Sequence, residues 1–105
     1  MGKKLVKSEG DIRKSMILPS KYDILGVATK MLGQGRVMVE CQDGYNRICR
    51  IRGKMKRRRW VRQDDVVLVS PREFQSDTRG DIFFRYTRNQ ARWLRDKGIL
   101  KIYPD

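Results

Sequence analysis

Residues 36–52 read RVMVECQDGYNRICRIR, and how the two halves of this stretch pair decides the fold. Arg36 to Cys41 alternates polar and apolar residues with a period of two, as does Arg47 to Arg52, and each predicts a half-buried strand. Between them, Gln42-Asp43-Gly44 is turn chemistry. A two-residue Asp-Gly turn would pair position 41 with 46 and leave Cys49 on the face opposite Val39. A three-residue turn with Gly44 left-handed pairs 41 with 45 and 37 with 49. The second register gathers Val37, Val39, Cys41, Cys49 and Ile51 on one face and sends Arg50 and Arg52 outward, so it is the one expected here. Arg47 then takes a rim position on the apolar face, and the two cysteines become core fillers.

Working outward, Tyr22 to Leu32 (YDILGVATKML) predicts a first strand, ended by the turn Gly33-Gln34-Gly35, with Gly26 marking a bulge or tight bend. Asp64 to Val69 (DDVVLV) predicts a fourth strand, closed by Ser70-Pro71. Phe74 to Gly80 is polar and turn-like. Asp81 to Tyr86 (DIFFRY) predicts a fifth strand, with Ile82, Phe84 and Tyr86 on one face and Phe83 and Arg85 on the other. Thr87-x-x-Gln90 is a capping box that opens a helix reaching about Lys97, where Gly98 stops it. Ala91, Leu94 and Trp93 face inward. The expected fold is all-β with a C-terminal helix: a five-stranded OB-type barrel followed by a short α-helix. One domain suits 105 residues, arranged as a basic arm over 1–21, a barrel over 22–86, and a helix and tail over 87–105. Met16-Ile17-Leu18-Pro19 is an apolar patch able to tack the arm down. Residues 1–10 read as a frayed terminus or as a basic arm that gains order on RNA.

The segment Arg47 to Arg62 (RICRIRGKMKRRRWVR) holds nine cations and no acid, out of a net charge of +13 for the chain. A concentrated field of one sign attracts a polyanion. Guanidinium groups fork onto phosphates, and Trp60 offers a stacking surface directly after three arginines. The part from Gly53 to Arg62 breaks the strand alternation and reads as a loop or a short helical turn.

Several function classes fall away. The chain has no histidine and two cysteines, Cys41 and Cys49, so a four-ligand nitrogen/sulfur zinc site and histidine-based acid–base chemistry are excluded. The cysteines are expected reduced, in a cytoplasmic protein. No apolar run approaches the roughly 20 residues that span a bilayer, and the N-terminus lacks the apolar stretch of a secretory leader. Gly2 raises myristoylation, but the following residues lack the Ser or Thr that this needs. Asp64 and Asp65 are adjacent in a strand and point to opposite faces, a poor two-carboxylate metal site. No catalytic residue, metal or other cofactor is expected.

KMLGQGRVMVECQDGYNRICRIRGKMKRRRWVRQDDVVLV (30–69), with DIFFRYTRNQARWLRDKG (81–98), resembles translation initiation factor 1A of archaea and eukaryotes. The resemblance covers roughly residues 18–98, and its most specific parts are MLGQGR (31–36), the Asp43-Gly44 turn, IRGKM (51–55) and the basic-plus-Trp run. GKM before basic residues, and GDIFFR (80–85), are also similar to the smaller bacterial initiation factor 1. The chain stops at Tyr103-Pro104-Asp105, without the long acidic tail of the eukaryotic factor, so the archaeal form fits better. The resemblance implies an OB-fold that binds ribosomal RNA at the A site of the small ribosomal subunit. There the family occludes the site and promotes recruitment of initiator tRNA and mRNA and start-codon selection, together with other initiation factors. The positions that match its RNA-contacting surface are Gly33, Gly35, Arg36, Arg50, Arg52, Lys54, Lys56, Arg57, Arg58, Arg59, Trp60 and Arg62. A monomer is expected, with no membrane partner. Two other readings remain at this level: a free single-strand RNA binder of cold-shock type, which needs aromatics on one strand face, and a nuclease, which needs a better carboxylate pair.

Overall fold

The computed structural model describes residues 16–51 and 61–102. Five strands form: β1 (Ile24–Gly33), β2 (Arg36–Cys41), β3 (Asn46–Ile51), β4 (Val66–Pro71) and β5 (Arg79–Arg85). One helix follows, α1 (Arg88–Asp96). The strands close into a barrel in the order β1-β2-β3-β5-β4. All neighbours are antiparallel except β3 and β5, which run parallel. This is the expected OB-fold with its C-terminal helix.

The β2–β3 hairpin adopts the three-residue register. Val37 sits opposite Cys49, the Cys41 amide donates to the Tyr45 carbonyl at 2.9 Å, and Gly44 takes φ 98°. A left-handed residue at that point costs glycine nothing and other residues about 1 kcal/mol or more. Val37, Val39, Cys41, Cys49 and Ile51 all lie in the barrel interior with Ala28, Val61, Val67, Val69 and Ile82.

Arg47 departs from expectation. It belongs to the inward face, as parity requires, but it is buried rather than at a rim, at 3% exposure. Its guanidinium forks onto the Asp43 carboxylate at 3.0 and 2.9 Å, and its Nε donates to the Ser76 carbonyl at 2.5 Å. The partner that makes burial tolerable comes from the turn four residues back, and the carbonyl from a loop distant in sequence. Together they satisfy a fork that no apolar surroundings could accept.

The expected single face for Ile82, Phe84 and Tyr86 is also corrected. Leu68 pairs with Phe84 but Val69 pairs with Ile82, so β5 carries an extra residue at Phe83. The bulge switches the side to which residues point. Ile82 fills the barrel, whereas Phe83, Phe84 and Tyr86 pack outside it with α1. Phe84 and Tyr86 meet edge to face, ring centroids 4.8 Å apart. Strand β4 begins two residues later than expected because Asp64 adopts φ 74° and turns the chain, while the Asp65 carboxylate accepts from the Arg62 amide at 2.7 Å.

Helix α1 is cut to length by its own sequence. Thr87 Oγ1 accepts from the Gln90 amide and Gln90 Oε1 from the Thr87 amide, the complete capping box. At the other end Gly98 is left-handed. The Ile99 amide donates to the Leu94 carbonyl and the Gly98 amide to Arg95, which is a Schellman stop. Ala91 and Leu94 pack with Leu25, Val27, Val66 and Leu68, the outward residues of β1 and β4, and Trp93 lies half-buried against them. Met16 and Leu18 join this second core, and the Tyr86 hydroxyl donates to the Ile17 carbonyl. The apolar patch at 16–19 thus does tie the entering chain down. β4 and the first half of β1 are covered on both faces, whereas among the described residues the outer face of β2, β3 and the first residues of β5 is left open.

Leu94 is fully buried between helix and barrel. Leu94→Ala is expected to cost about 2–5 kcal/mol, read as an equivalent loss in chemical denaturation. Gly26 has no room for a side chain: a Cβ would stand 2.5 Å from Val39 Cγ1 and 2.9 Å from the Glu40 carbonyl oxygen. Gly26→Ala should therefore cost at least about 1–3 kcal/mol, despite the better strand fit of alanine.

Candidate nucleic-acid interface

The open face is set by parity. On β2 it presents Arg36, Met38 and Glu40, on β3 Asn46, Ile48 and Arg50, and on β5 Arg79 and Asp81. Arg36 is directly opposite Arg50 across the β2–β3 pair, and Arg50 is opposite Asp81 across the β3–β5 pair. Arg36, Ile48, Arg50, Arg72 and Arg79 line an open cleft of about 140 Å³ with Cys49 at its base. One Asp81 oxygen faces two of these guanidiniums, Arg50 at 3.7 Å and Arg72 at 3.4 Å. Four cations around one carboxylate leave an excess of positive charge. Like charges directly opposite each other weaken a sheet, so the barrel supports this cluster at some loss of stability.

Of the expected site residues, the structure brings Arg36 and Arg50 into this cleft. Gly33 and Gly35 form the β1–β2 turn beside it, with φ 86° and 75°, and the Gly35 carbonyl accepts from the Ile51 amide at 2.9 Å. The turn is thereby held against the end of β3. Arg62 is exposed just before β4. Arg52, Lys54, Lys56, Arg57, Arg58, Arg59 and Trp60 lie outside the described residues. Sequence reasoning missed Arg72 and Arg79. Arg79 joins the face through the parallel β3–β5 pairing, which leaves no local mark. Had β5 been begun two residues earlier, alternation would have set Arg79 and Asp81 on the same side.

The thiols are inert by position. Burial, and then the neighbouring Cys41, push the Cys49 thiol up to about 12, and burial likewise raises Cys41 against the pull of Arg47. Asp43 is held below the usual carboxylate range by the Arg47 fork. Among the described residues no group of three or more His, Cys, Asp or Glu side chains could hold a metal ion, and no helix is long and apolar enough to cross a membrane.

Fold and face together define a class: a single OB barrel, sealed by a helix on one side and cationic on the other. The family model described as Translation initiation factor 1A / IF-1 matches residues 13–104. Translation initiation factor 1A of Methanothermobacter thermautotrophicus is 50% identical over 84 residues, covering 80% of this chain and 85% of the relative. That of Methanopyrus kandleri is 49% identical over 100 residues, 95% and 86% of the two chains, and that of Archaeoglobus fulgidus 47% over 97 residues, 91% and 99%. This chain belongs to the translation initiation factor 1A / IF-1 family. The crystal structure of YjeQ from Thermotoga maritima shares the fold, with a TM-score of 0.53 and 22% identity over 63% of this chain and 23% of that longer one.

Arg47→Met should cost about 3 kcal/mol, the lower end for breaking a buried pair, because Asp43 keeps partial access to water at 33% exposure. Both thiols should resist a thiol reagent at pH 8 in the folded chain and react once it is denatured. Because the folded thiols titrate above their unfolded value of 9.0, their contribution to stability is whole below pH 9. It should fade as pH climbs from 9 toward 12, a loss readable by denaturation at stepped pH.

Proposed function

We propose that this chain acts in translation initiation by binding ribosomal RNA of the small ribosomal subunit at the A site, through the open face of its barrel. The family is one of translation initiation factors, and the finer reading rests on one observation: Arg36, Arg50, Arg72 and Arg79 converge on the uncovered side of the barrel. Guanidinium forks suit phosphate oxygens, and such contacts fix register on the RNA. Selectivity then comes from the shape of a prefolded RNA pocket rather than from base readout. The Gly33–Gly35 turn, the basic run Arg52 to Arg59 with Trp60, and Arg62 are assigned to contact with the same RNA on their charge and stacking chemistry. The barrel over 22–86 is the RNA-binding unit, and helix α1 with Ile99, Leu100 and Ile102 braces it. Seated there, the protein occludes the site, promotes initiator tRNA and mRNA recruitment and start-codon selection, and works beside other initiation factors in the cytoplasm as a non-enzymatic monomer.

The cold-shock-type alternative is less well supported. Among the described residues the open strand face carries no exposed aromatic side chain: Phe83 and Phe84 of β5 pack against the helix-side core, Tyr45 sits at the β2–β3 turn and Phe74 in the β4–β5 loop. Binding without sequence preference needs stacking platforms on the face itself.

The test is binding of the full chain to purified archaeal small ribosomal subunits over a series of salt concentrations. With about five phosphates neutralised, log affinity should fall against log salt with a slope on the order of −3.5. Arg36→Gln with Arg50→Gln, and separately Ala at Arg57, Arg58, Arg59 and Trp60, should each weaken binding and flatten the slope. Wild-type affinity for unstructured RNA equal to that for the subunit would favour the free RNA binder instead.

A further inference from the structure

One carboxylate stands among the arginines of the cleft. Every charged side chain lining the cleft is an arginine, Arg36, Arg50, Arg72 or Arg79, and a guanidinium donates hydrogen bonds but accepts none. Asp81 lies at the edge of this group, opposite Arg50 on β3 and Ser70 on β4. A site that only collects phosphates is weakened by it, because a fixed negative charge repels a phosphate and cancels part of the field of its neighbours.

Relief of repulsion among the arginines is the plain structural explanation, and the geometry is poor for it. Asp81 uses Oδ1 alone, with Arg50 Nε at 3.7 Å and Arg72 Nη2 at 3.4 Å. Charge-assisted bonds that hold structure are about 2.7–2.9 Å long. The Asp43–Arg47 fork in the same barrel comes close to that: both Asp43 oxygens are taken, at 3.0 and 2.9 Å. Asp81 Oδ2, by contrast, has no hydrogen-bond or ion-pair partner among the described residues, and its side chain is 30% exposed. Arg50 approaches through Nε and is 63% exposed, so the end of its guanidinium stays open to an outside ligand. Arg36 and Arg79 make no ion pair among the described residues.

The cleft therefore presents several donors and, beside them, one open acceptor. An RNA backbone matches that pairing. Its phosphate oxygens accept, and its ribose 2′-hydroxyl donates and is missing from DNA. Arg79 and Asp81 share one side of β5, about 6.6 Å apart along the strand, and Arg50 is directly opposite Asp81. A phosphate seated on either arginine brings an adjoining ribose toward Oδ2 with no base turned inward.

We propose that Asp81 is the residue by which the cleft recognises ribose: Oδ2 accepts a hydrogen bond from a 2′-hydroxyl of the RNA backbone while Arg36, Arg50 and Arg79 hold adjoining phosphates. This rests on the reading of the chain as a small-subunit binder and names what that same cleft selects. The carboxylate lowers affinity for every polyanion and restores it only for one that carries the hydroxyl. Specificity is thus set by a repulsive group that the right ligand offsets.

The test uses the full chain and purified small ribosomal subunits. Asp81→Asn is close in size, keeps one oxygen for the arginines, and puts an N–H donor where Oδ2 stood. Its affinity should fall about tenfold, the order of one hydrogen bond to a charged group. Its salt slope should not flatten, because no phosphate contact is lost, and its melting temperature should stay near that of the wild type. Tighter binding would show a carboxylate that only repels. Weaker binding with a flatter slope would show one that only holds the arginines. Either result overturns the proposal. Binding lost by Arg36→Gln with Arg50→Gln, but unaltered by Asp81→Asn, would leave the cleft standing and remove the hydroxyl contact. Absence of wild-type binding would instead overturn the reading on which both depend.

The hydroxyl itself is read independently. Small subunits are reassembled from ribosomal RNA carrying 2′-deoxynucleotides at random positions, and the bound and unbound fractions are compared. With the wild type, deoxy substitution at a small set of positions should be depleted from the bound fraction. With Asp81→Asn, one of those positions should no longer be depleted while the others persist. An identical pattern with both proteins, or no depletion with the wild type, would overturn the proposal, and is the result expected of a carboxylate that meets a base amino group or serves the fold alone.

Discussion

The barrel depends on how closely its strands approach where it closes. At Gly26 the backbone of β1 runs so near β2 that a Cβ would stand 2.5 Å from Val39 Cγ1, and at Gly80 a Cβ would stand 2.6 Å from Val69 Cγ1. A small closed sheet has an interior only wide enough for side chains to fill, and here valines of moderate size take the space that two glycines vacate. The interior is filled by Val37, Val39, Val67, Val69, Ile82 and the two cysteines. Arg36, Arg50, Arg72 and Arg79 are carried on the outside of the barrel.

That outside is divided by burial. β4 is apolar at four consecutive positions, Val66 to Val69, so it must be covered on both faces. The inner face meets the barrel core, and the outer face needs α1, Tyr86 and Leu100. The bulge at Phe83 makes this possible by turning Phe84 and Tyr86 from the barrel toward the helix side. With α1 committed to β1 and β4, the outer faces of β2, β3 and the start of β5 stay uncovered among the described residues, and that is where the arginines gather. The placement of the cationic cleft is in this sense a consequence of where the apolar residues ran out.

The two loops at one end are joined by the same logic. Arg47 lies beneath the β2–β3 turn and binds both Asp43 of that turn and Ser76 of the β4–β5 loop. Its guanidinium lies 5.4 Å from the Tyr45 ring centroid. One buried cation therefore joins two segments, at Asp43 and at Ser76, that are 33 residues apart in sequence, and so helps to set the β4–β5 loop against the β2–β3 turn. A charge-assisted fork supplies direction as well as energy, which an apolar residue at 47 could not.

Local pattern was enough for much of this. The hairpin register followed from parity and one glycine, the helix from Thr87, Gln90 and Gly98, and the core role of both cysteines from alternation. The basic character of the surface followed from charge density, and Arg36 and Arg50 were legible as outward residues of β2 and β3. What the sequence could not carry was everything set by contact between distant segments. Arg79 enters the cleft through a parallel pairing with no local signature. Arg47 is buried because two oxygen-bearing groups from different loops converge on it. The side taken by Phe84 reverses because one residue bulges. Sequence alone determined which residues would make strands, turns and a helix, since those depend on period and capping over a few positions. Only the tertiary structure decided which face stayed open and which cations share it, because that depends on how a closed sheet distributes its limited apolar cover.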